Sequence, residues 1–127
     1  MNNQSSPPPK IASVCTGIAG FDIAFQQAGF ELTWICEIDR QCREVLKRHF
    51  PNTIIYEDMC KIPADAARPD VLCGGTPCQS FSLAGLRAGL ADPRGNLALV
   101  FLSLVDRLRP AWVVWENVPD ASPWWRH

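Results

Sequence analysis

Short apolar runs alternating with helical stripes constrain the fold of this chain more than any other feature of its sequence. Residues 11–15, 32–36, 53–56, 71–74 and 112–115 read as strands: each is short, mostly apolar and rich in β-branched or aromatic side chains. Between the first two, Phe21, Ala24, Phe25 and Ala28 fall on one helical face, and Gly29 supplies a stop. Asp39 is placed to cap a second helix that runs to His49, turns Cys42, Val45, Leu46 and Phe50 inward and is ended by Pro51. Leu97, Val100, Phe101, Leu104, Val105 and Leu108 mark a third helix over 96–108. Strands joined by crossover helices predict an α/β architecture, a parallel sheet with helices on both faces. Ligands in such sheets bind at the carboxyl ends of the strands. Gly17, Glu37, Asp58, Cys78 and Glu116 all follow strands, so they share that edge.

The bulk properties bound the function without naming it. At 127 residues with 47% apolar and 20% charged residues, the chain has the composition of one globular domain. No apolar run approaches the roughly 20 residues of a membrane span, so no membrane partner is expected. The start, MNNQSSPPPK, has no signal-peptide core. Residues 1–9 are read as a disordered tail, residues 10–127 as the folded part, and the protein as cytoplasmic. Six cysteines without secretory context or C-x-x-C spacing read as free thiols. His49 and His127 do not stand at zinc-finger spacing from them, and no metal site is expected. A net charge of −1 and a pI near 6.1 carry no hint of nucleic acid.

Three motifs carry chemistry. The first is T-G-I-A-G-F (residues 16–21) between strand and helix, with Glu37 twenty residues beyond Gly17. Glycines there let the backbone approach a ligand, and an acid ending the second strand accepts from both ribose hydroxyls. The pattern suits a nucleoside without a pyrophosphate, which favours S-adenosylmethionine over NAD. The second is D-V-L-C-G-G-T-P-C-Q-S-F-S (residues 70–82), where a strand empties into two glycines and a proline fixes the backbone beside Cys78. A cysteine is a nucleophile only as the thiolate, and Arg87 and Arg94 lie in the same long Gly-, Pro- and Ser-rich stretch, of a length usually functional or disordered. Cys15, Cys36, Cys42 and Cys60 read instead as small buried hydrophobes, and Cys73 as core. The third is W-V-V-W-E-N-V-P (residues 112–119), which puts Glu116 at the end of a buried strand as a proton donor beside the strand leading to Cys78.

In this order, with C-E-I-D, Y-E-D-M and D-P-R-G-N-L between them, the motifs resemble the cytosine-C5 DNA methyltransferases of bacteria and phages. The resemblance covers residues 11–119, and P-C-Q-S-F-S followed by E-N-V is its specific part. It implies a Rossmann-like methyltransferase fold, S-adenosylmethionine as cofactor and double-stranded DNA as partner. It further implies that Cys78 adds to C6 of a cytosine flipped from the duplex while Glu116 binds N3 and the exocyclic amine. Covalent addition divides a hard step into easier ones, and a stacked ring is out of reach without flipping. By the same resemblance Gly17, Ile18 and Gly20 line the methionine end of the cofactor. Glu37 holds the ribose, Ile38 packs on adenine, Asp58 accepts from the adenine amine with Met59 beside it, and Pro77 and Leu97 complete the pocket. Gln79, Ser80 and Ser82 belong to a loop that closes on DNA, and Asn117 orients Glu116 or Pro77.

Cys15 stands where the family usually has an aromatic residue, Ala19 where it has glycine and Thr76 where proline or an aromatic is common. The first two are expected to reshape cofactor binding. The family's recognition region and C-terminal motifs do not follow Glu116 here, so residues 10–127 read as the N-terminal part of a catalytic domain, with little activity alone and a complementing C-terminal chain as a partner. Two alternatives remain at this point: an inactive fragment that binds the cofactor or a partner chain, and a tRNA-directed member of the same family.

Overall fold

Five parallel strands form one sheet in the order β3-β2-β1-β4-β5 in the computed structural model, which describes residues 5–75 and 96–116. In chain order these are β1 (Lys10–Val14), α1 (Gly20–Gln27), β2 (Glu31–Cys36), α2 (Arg40–His49), β3 (Ile54–Tyr56), a 3-10 turn at Met59–Lys61, β4 (Val71–Gly74), α3 (Asn96–Leu108) and β5 (Trp112–Trp115). The chain runs outward from β1 through β2 to β3, then returns to lay β4 on the other side of β1. Strand order therefore reverses between β1 and β4, and a crevice opens there at the carboxyl ends.

The period-2 alternation of each strand divides the core between two faces. Ala12, Val14, Trp34, Cys36 and Leu72 pack against Phe101, Leu104 and Leu108 of α3. On the opposite face Ile11, Val71 and Cys73 meet Phe25 and Phe30, while Ile35 meets Leu46 of α2 and Phe50 just past its end. Trp34 is fully buried, and its indole N–H donates to the carbonyl of Ala67 at 2.8 Å, which satisfies its polar handle. Asp39 caps α2 by accepting from the Cys42 N–H at 2.9 Å.

Four expectations need correction. The buried residue of α1 is Asp22, whereas Phe21, Ala24 and Ala28 are exposed and Phe25 half-buried. The helix is turned so that Asp22 meets the hydroxyl of Ser13 on the sheet, a polar contact that an apolar stripe does not register. Val45 is exposed and Cys42 half-buried, because α2 covers the outer strands and only Leu46 and Phe50 reach them. Cys60 is exposed in the 3-10 turn, and Cys15 is half-buried. β5 has one strand neighbour among the described residues, and Trp112 is 73% exposed instead of buried.

Arg109 closes α3 in the left-handed region, with φ 49° and its N–H donated to Val105 at 2.9 Å. Glycine adopts that conformation without a Cβ penalty, and the Arg109–Asp106 ion pair is exposed on both sides. Arg109→Gly is therefore expected to stabilise the chain by about 0.5 kcal/mol, a rise of roughly 2 °C in Tm by calorimetry.

Candidate functional site

The loop from β1 to α1 is a left-handed turn. Cys15, Gly17 and Ala19 have φ of 52°, 59° and 69°, a region that L residues other than glycine enter at a cost. Hydrogen bonds tether it to the end of β2. The Thr16 hydroxyl donates to the Cys36 carbonyl at 3.2 Å, and the Gly17 N–H donates to Glu37 Oε1 at 2.7 Å. Glu37 Oε2 accepts the Asp39 N–H at 3.0 Å, so this carboxylate, 8% exposed, joins the glycine turn to the start of α2. An ionised carboxylate has about four lone-pair sites; two backbone donors leave acceptor capacity for a ligand's hydroxyls.

Two cavities flank this turn. One of about 450 Å³ lies at the carboxyl ends of β1, β4 and β5, lined among others by Ser13, Thr16, Gly20, Asp22, Gly75 and Glu116. The other, of about 310 Å³, is lined by Ile38, Arg43, Tyr56, Glu57, Asp58 and Lys61. The Glu116 N–H donates to the Gly74 carbonyl at 2.9 Å, so the end of β5 is fixed against the end of β4. A Cβ on Gly75 would stand 3.3 Å from Glu116 Oε2; glycine there admits the carboxylate.

The residues singled out from sequence are distributed as follows. Gly17 and Glu37 are in direct contact. Gly20 and Glu116 line the first cavity, and Ile38 and Asp58 the second. Ile18 projects outward, 76% exposed. Asp58 also caps the 3-10 turn by accepting from the Cys60 N–H at 2.9 Å. The side chain of Met59 is buried in the α3-side core, and Leu97 packs against that core. Cys78 and Pro77 lie outside the described residues, as do Gln79, Ser80, Ser82, Arg87, Arg94 and Asn117.

Sequence reasoning missed two groups. Arg43 donates to the carbonyls of Glu37 and Ile38 at 3.0 and 2.6 Å and so holds the link between β2 and α2. Its only signal was a position one turn beyond the Asp39 cap. Asp22, 1% exposed, accepts from Ser13 Oγ at 2.6 Å; a serine inside an otherwise apolar strand was the available signal.

Burial, then the charge of Glu37, pushes the Cys15 thiol up to about 11. Burial first, with nearby acids and thiols behind it, raises Cys36 to about 12, and burial followed by Asp22 raises Cys73 to about 12. Cys42 and Cys60 are also raised, by desolvation and then by Asp39 and Asp58. All five described thiols are thus held above the ordinary cysteine value.

A family model for C-5 cytosine-specific DNA methylases matches residues 9–122. The chain belongs to that family. Among this methylase-family chain's relatives, the type II methyltransferase M.AquIA of Picosynechococcus is 40% identical over 91% of this chain and 50% of its own length. A DNA N-6-adenine-methyltransferase of Escherichia phage P1 is also 40% identical, over 84% of this chain and 16% of itself. The crystal structure of a DNA modification methyltransferase encoded within an E. coli prophage superposes with a TM-score of 0.75 at 26% identity, covering 90% of this chain and 33% of that one. The methylase-family chain thus spans half or less of the length of these relatives. The fold of that prophage-encoded protein matches the parallel sheet with helices on both faces, and no described helix is long and apolar enough to cross a membrane.

Proposed function

We propose that this chain carries the cofactor-binding and cytosine-activating part of a DNA cytosine-C5 methyltransferase. The observation that carries the reading is the meeting of Glu116 with Gly75 at the cavity between β4 and β5, three residues before Cys78 in sequence. Burial holds the thiols of Cys15, Cys36, Cys42, Cys60 and Cys73 above their ordinary value, which disfavours them as nucleophiles, and the order of motifs assigns that role to Cys78.

S-adenosylmethionine suits the residues present: a positive-φ glycine for close backbone approach, a buried carboxylate with free lone pairs for ribose hydroxyls, and the exposed Ile38 beside Asp58 for an adenine face and amine. When bound, it supplies an electrophilic methyl group on a sulfonium sulfur. Gly17 and Gly20 give way to its amino-acid end, Glu37 orients the ribose, and Asp58 and Ile38 hold the base. The resemblance assigns Pro77 and Leu97 to the same cofactor site, and Met59 supports Asp58 from the core.

On the cytosine, the Cys78 thiolate forms a bond to C6 and the electron pair of the C5–C6 double bond moves to C5. Glu116, hydrogen-bonded at N3 and the exocyclic amine, stabilises charge on the ring as this happens. Once C5 has taken the methyl group, whose bond to the sulfonium sulfur would break to leave a neutral thioether, transfer of the C5 proton to solvent would restore the double bond and expel the thiolate. The reaction needs a base drawn out of double-stranded DNA.

DNA containing 5-fluorocytosine tests the reading, because the fluorine blocks the elimination that frees Cys78. Incubated with S-adenosylmethionine and the chain, together with a complementing C-terminal chain if one is needed, it is expected to give a covalent complex stable to denaturing electrophoresis. Cys78→Ser is expected to abolish the complex; adduct formation at undiminished yield in that variant would refute the assignment.

A further inference from the structure

The mechanism above makes no use of Asp22, a buried carboxyl group on the cavity that Glu116 also lines. Three close contacts run from it in a row. Ser13 Oγ is 2.6 Å from Asp22 Oδ1, Ser13 Oγ is 2.8 Å from Thr16 Oγ1, and Thr16 Oγ1 is 3.2 Å from the Cys36 carbonyl. Each hydroxyl carries one proton, and a carbonyl or an ionised carboxylate only accepts. With Asp22 ionised, the protons of Ser13 and Thr16 must serve all of these contacts, and one goes without. With Asp22 protonated the Ser13–Asp22 bond reverses from the direction it has to an ionised acid, and the count closes: the acid donates to Ser13, Ser13 to Thr16 and Thr16 to Cys36. Ser13 is 3% exposed, so water is poorly placed to supply the missing proton.

We infer that Asp22 is a positioning residue which, in its protonated form, completes a hydrogen-bond relay that holds the Thr16–Gly17 turn against the end of β2. The anchoring matters because residues on both sides of Thr16 are in the left-handed region and Gly17 presents its N–H to Glu37. The surroundings favour the proton. The Cys73 thiol faces Asp22 from β4, the Glu116 carboxylate lines the same cavity from the end of β5, and no described cation opposes them. Burial raises the Asp22 pKa from its ordinary value, against the hydrogen bonds from Ser13 and its own backbone N–H, which lower it.

A raised folded-state pKa contributes stability that is complete below the unfolded value of about 3.9 and is lost as pH rises through the folded value. Asn at this position keeps the shape and offers N–H donors that do not titrate. Wild type, Asp22→Asn and Ser13→Ala are to be compared from about pH 4 to about pH 8.5, a range that brackets an ordinary and a raised carboxyl. Hydrogen exchange of the Gly17 amide, the urea midpoint and the Kd for S-adenosylmethionine are the readouts.

Relative to Asp22→Asn, the wild type is expected to lose Gly17 protection and urea stability as pH rises, and to bind the cofactor about three- to tenfold more weakly at the alkaline end, the worth of one hydrogen bond. Ser13→Ala is expected to show the loosened turn at every pH. Parallel pH profiles of wild type and Asp22→Asn in Gly17 exchange would overturn the inference. Its bearing on cofactor rests on the proposed function, and the two fail separately. Absence of cofactor binding at all pH values, with the Gly17 trend intact, would sustain the relay and overturn the function.

Discussion

Phe101→Ala is expected to cost about 3–5 kcal/mol, the range for removing a buried phenylalanine, and to lower Tm by more than roughly 10 °C. Phe101 is the side chain of α3 that lies on the sheet at its switch point. A Cβ built on Gly74 would stand 2.7 Å from Phe101 Cε2 and 2.9 Å from Val14 Cγ2, so ring and glycine fill each other's space. Gly74→Ala is accordingly expected to destabilise by about 1–3 kcal/mol through overpacking. The two changes share one volume, and in the double variant the alanine methyl enters the space left by the ring. Its loss is expected to fall short of the sum of the single losses by about 1 kcal/mol or more. Urea midpoints of all four chains measure this, and strict additivity would show that Gly74 is not small on account of Phe101. The contact also bears on chemistry, because the Gly74 carbonyl holds the Glu116 N–H at 2.9 Å.

The architecture was legible because apolar periodicity reports the two faces of a sheet. The stripe from Leu97 to Leu108 identified α3, whose Phe101, Leu104 and Leu108 are buried, and Asp39 announced the cap of α2. What misled was polarity inside the core. Asp22 enters the buried face of α1 because Ser13 hydrogen-bonds it, and a pattern of apolar residues assigns that face to Phe21 and Ala24 instead. Exposure at an edge was equally hidden: Trp112 and Val113 read as core by composition, yet β5 has one strand neighbour among the described residues. For the site, Gly17 and Glu37 were visible as a spacing of twenty residues, and their contact at 2.7 Å follows from β1 and β2 being parallel neighbours. The tie made by Arg43 was barely legible, since it joins side chain to backbone carbonyls and its one signal is a place one turn beyond the Asp39 cap. The place of Cys78 in the order of motifs comes from sequence, and the residue lies outside the described structure.

Glu37→Gln is expected to damage both the turn and the cofactor site, in separable ways. The two carboxylate oxygens each accept a backbone N–H, from Gly17 and from Asp39. A glutamine has one acceptor atom and one donor atom there, so in either orientation its NH2 group confronts a backbone N–H. At a position 8% exposed, the donor left without an acceptor costs about 1–3 kcal/mol, a loss visible in urea unfolding without any ligand. Losing charged acceptance from ribose hydroxyls adds about 1.5–3 kcal/mol, or roughly tenfold to a hundredfold in the Kd for S-adenosylmethionine. A 2′,3′-dideoxy analogue of the cofactor separates the terms. Wild type is expected to bind it far more weakly than the parent compound, and Glu37→Gln to bind both about equally, since the variant has little left to lose. If the substitution weakened parent and analogue by the same factor, Glu37 would act on the Gly17 turn alone and the ribose would have to be held by another group.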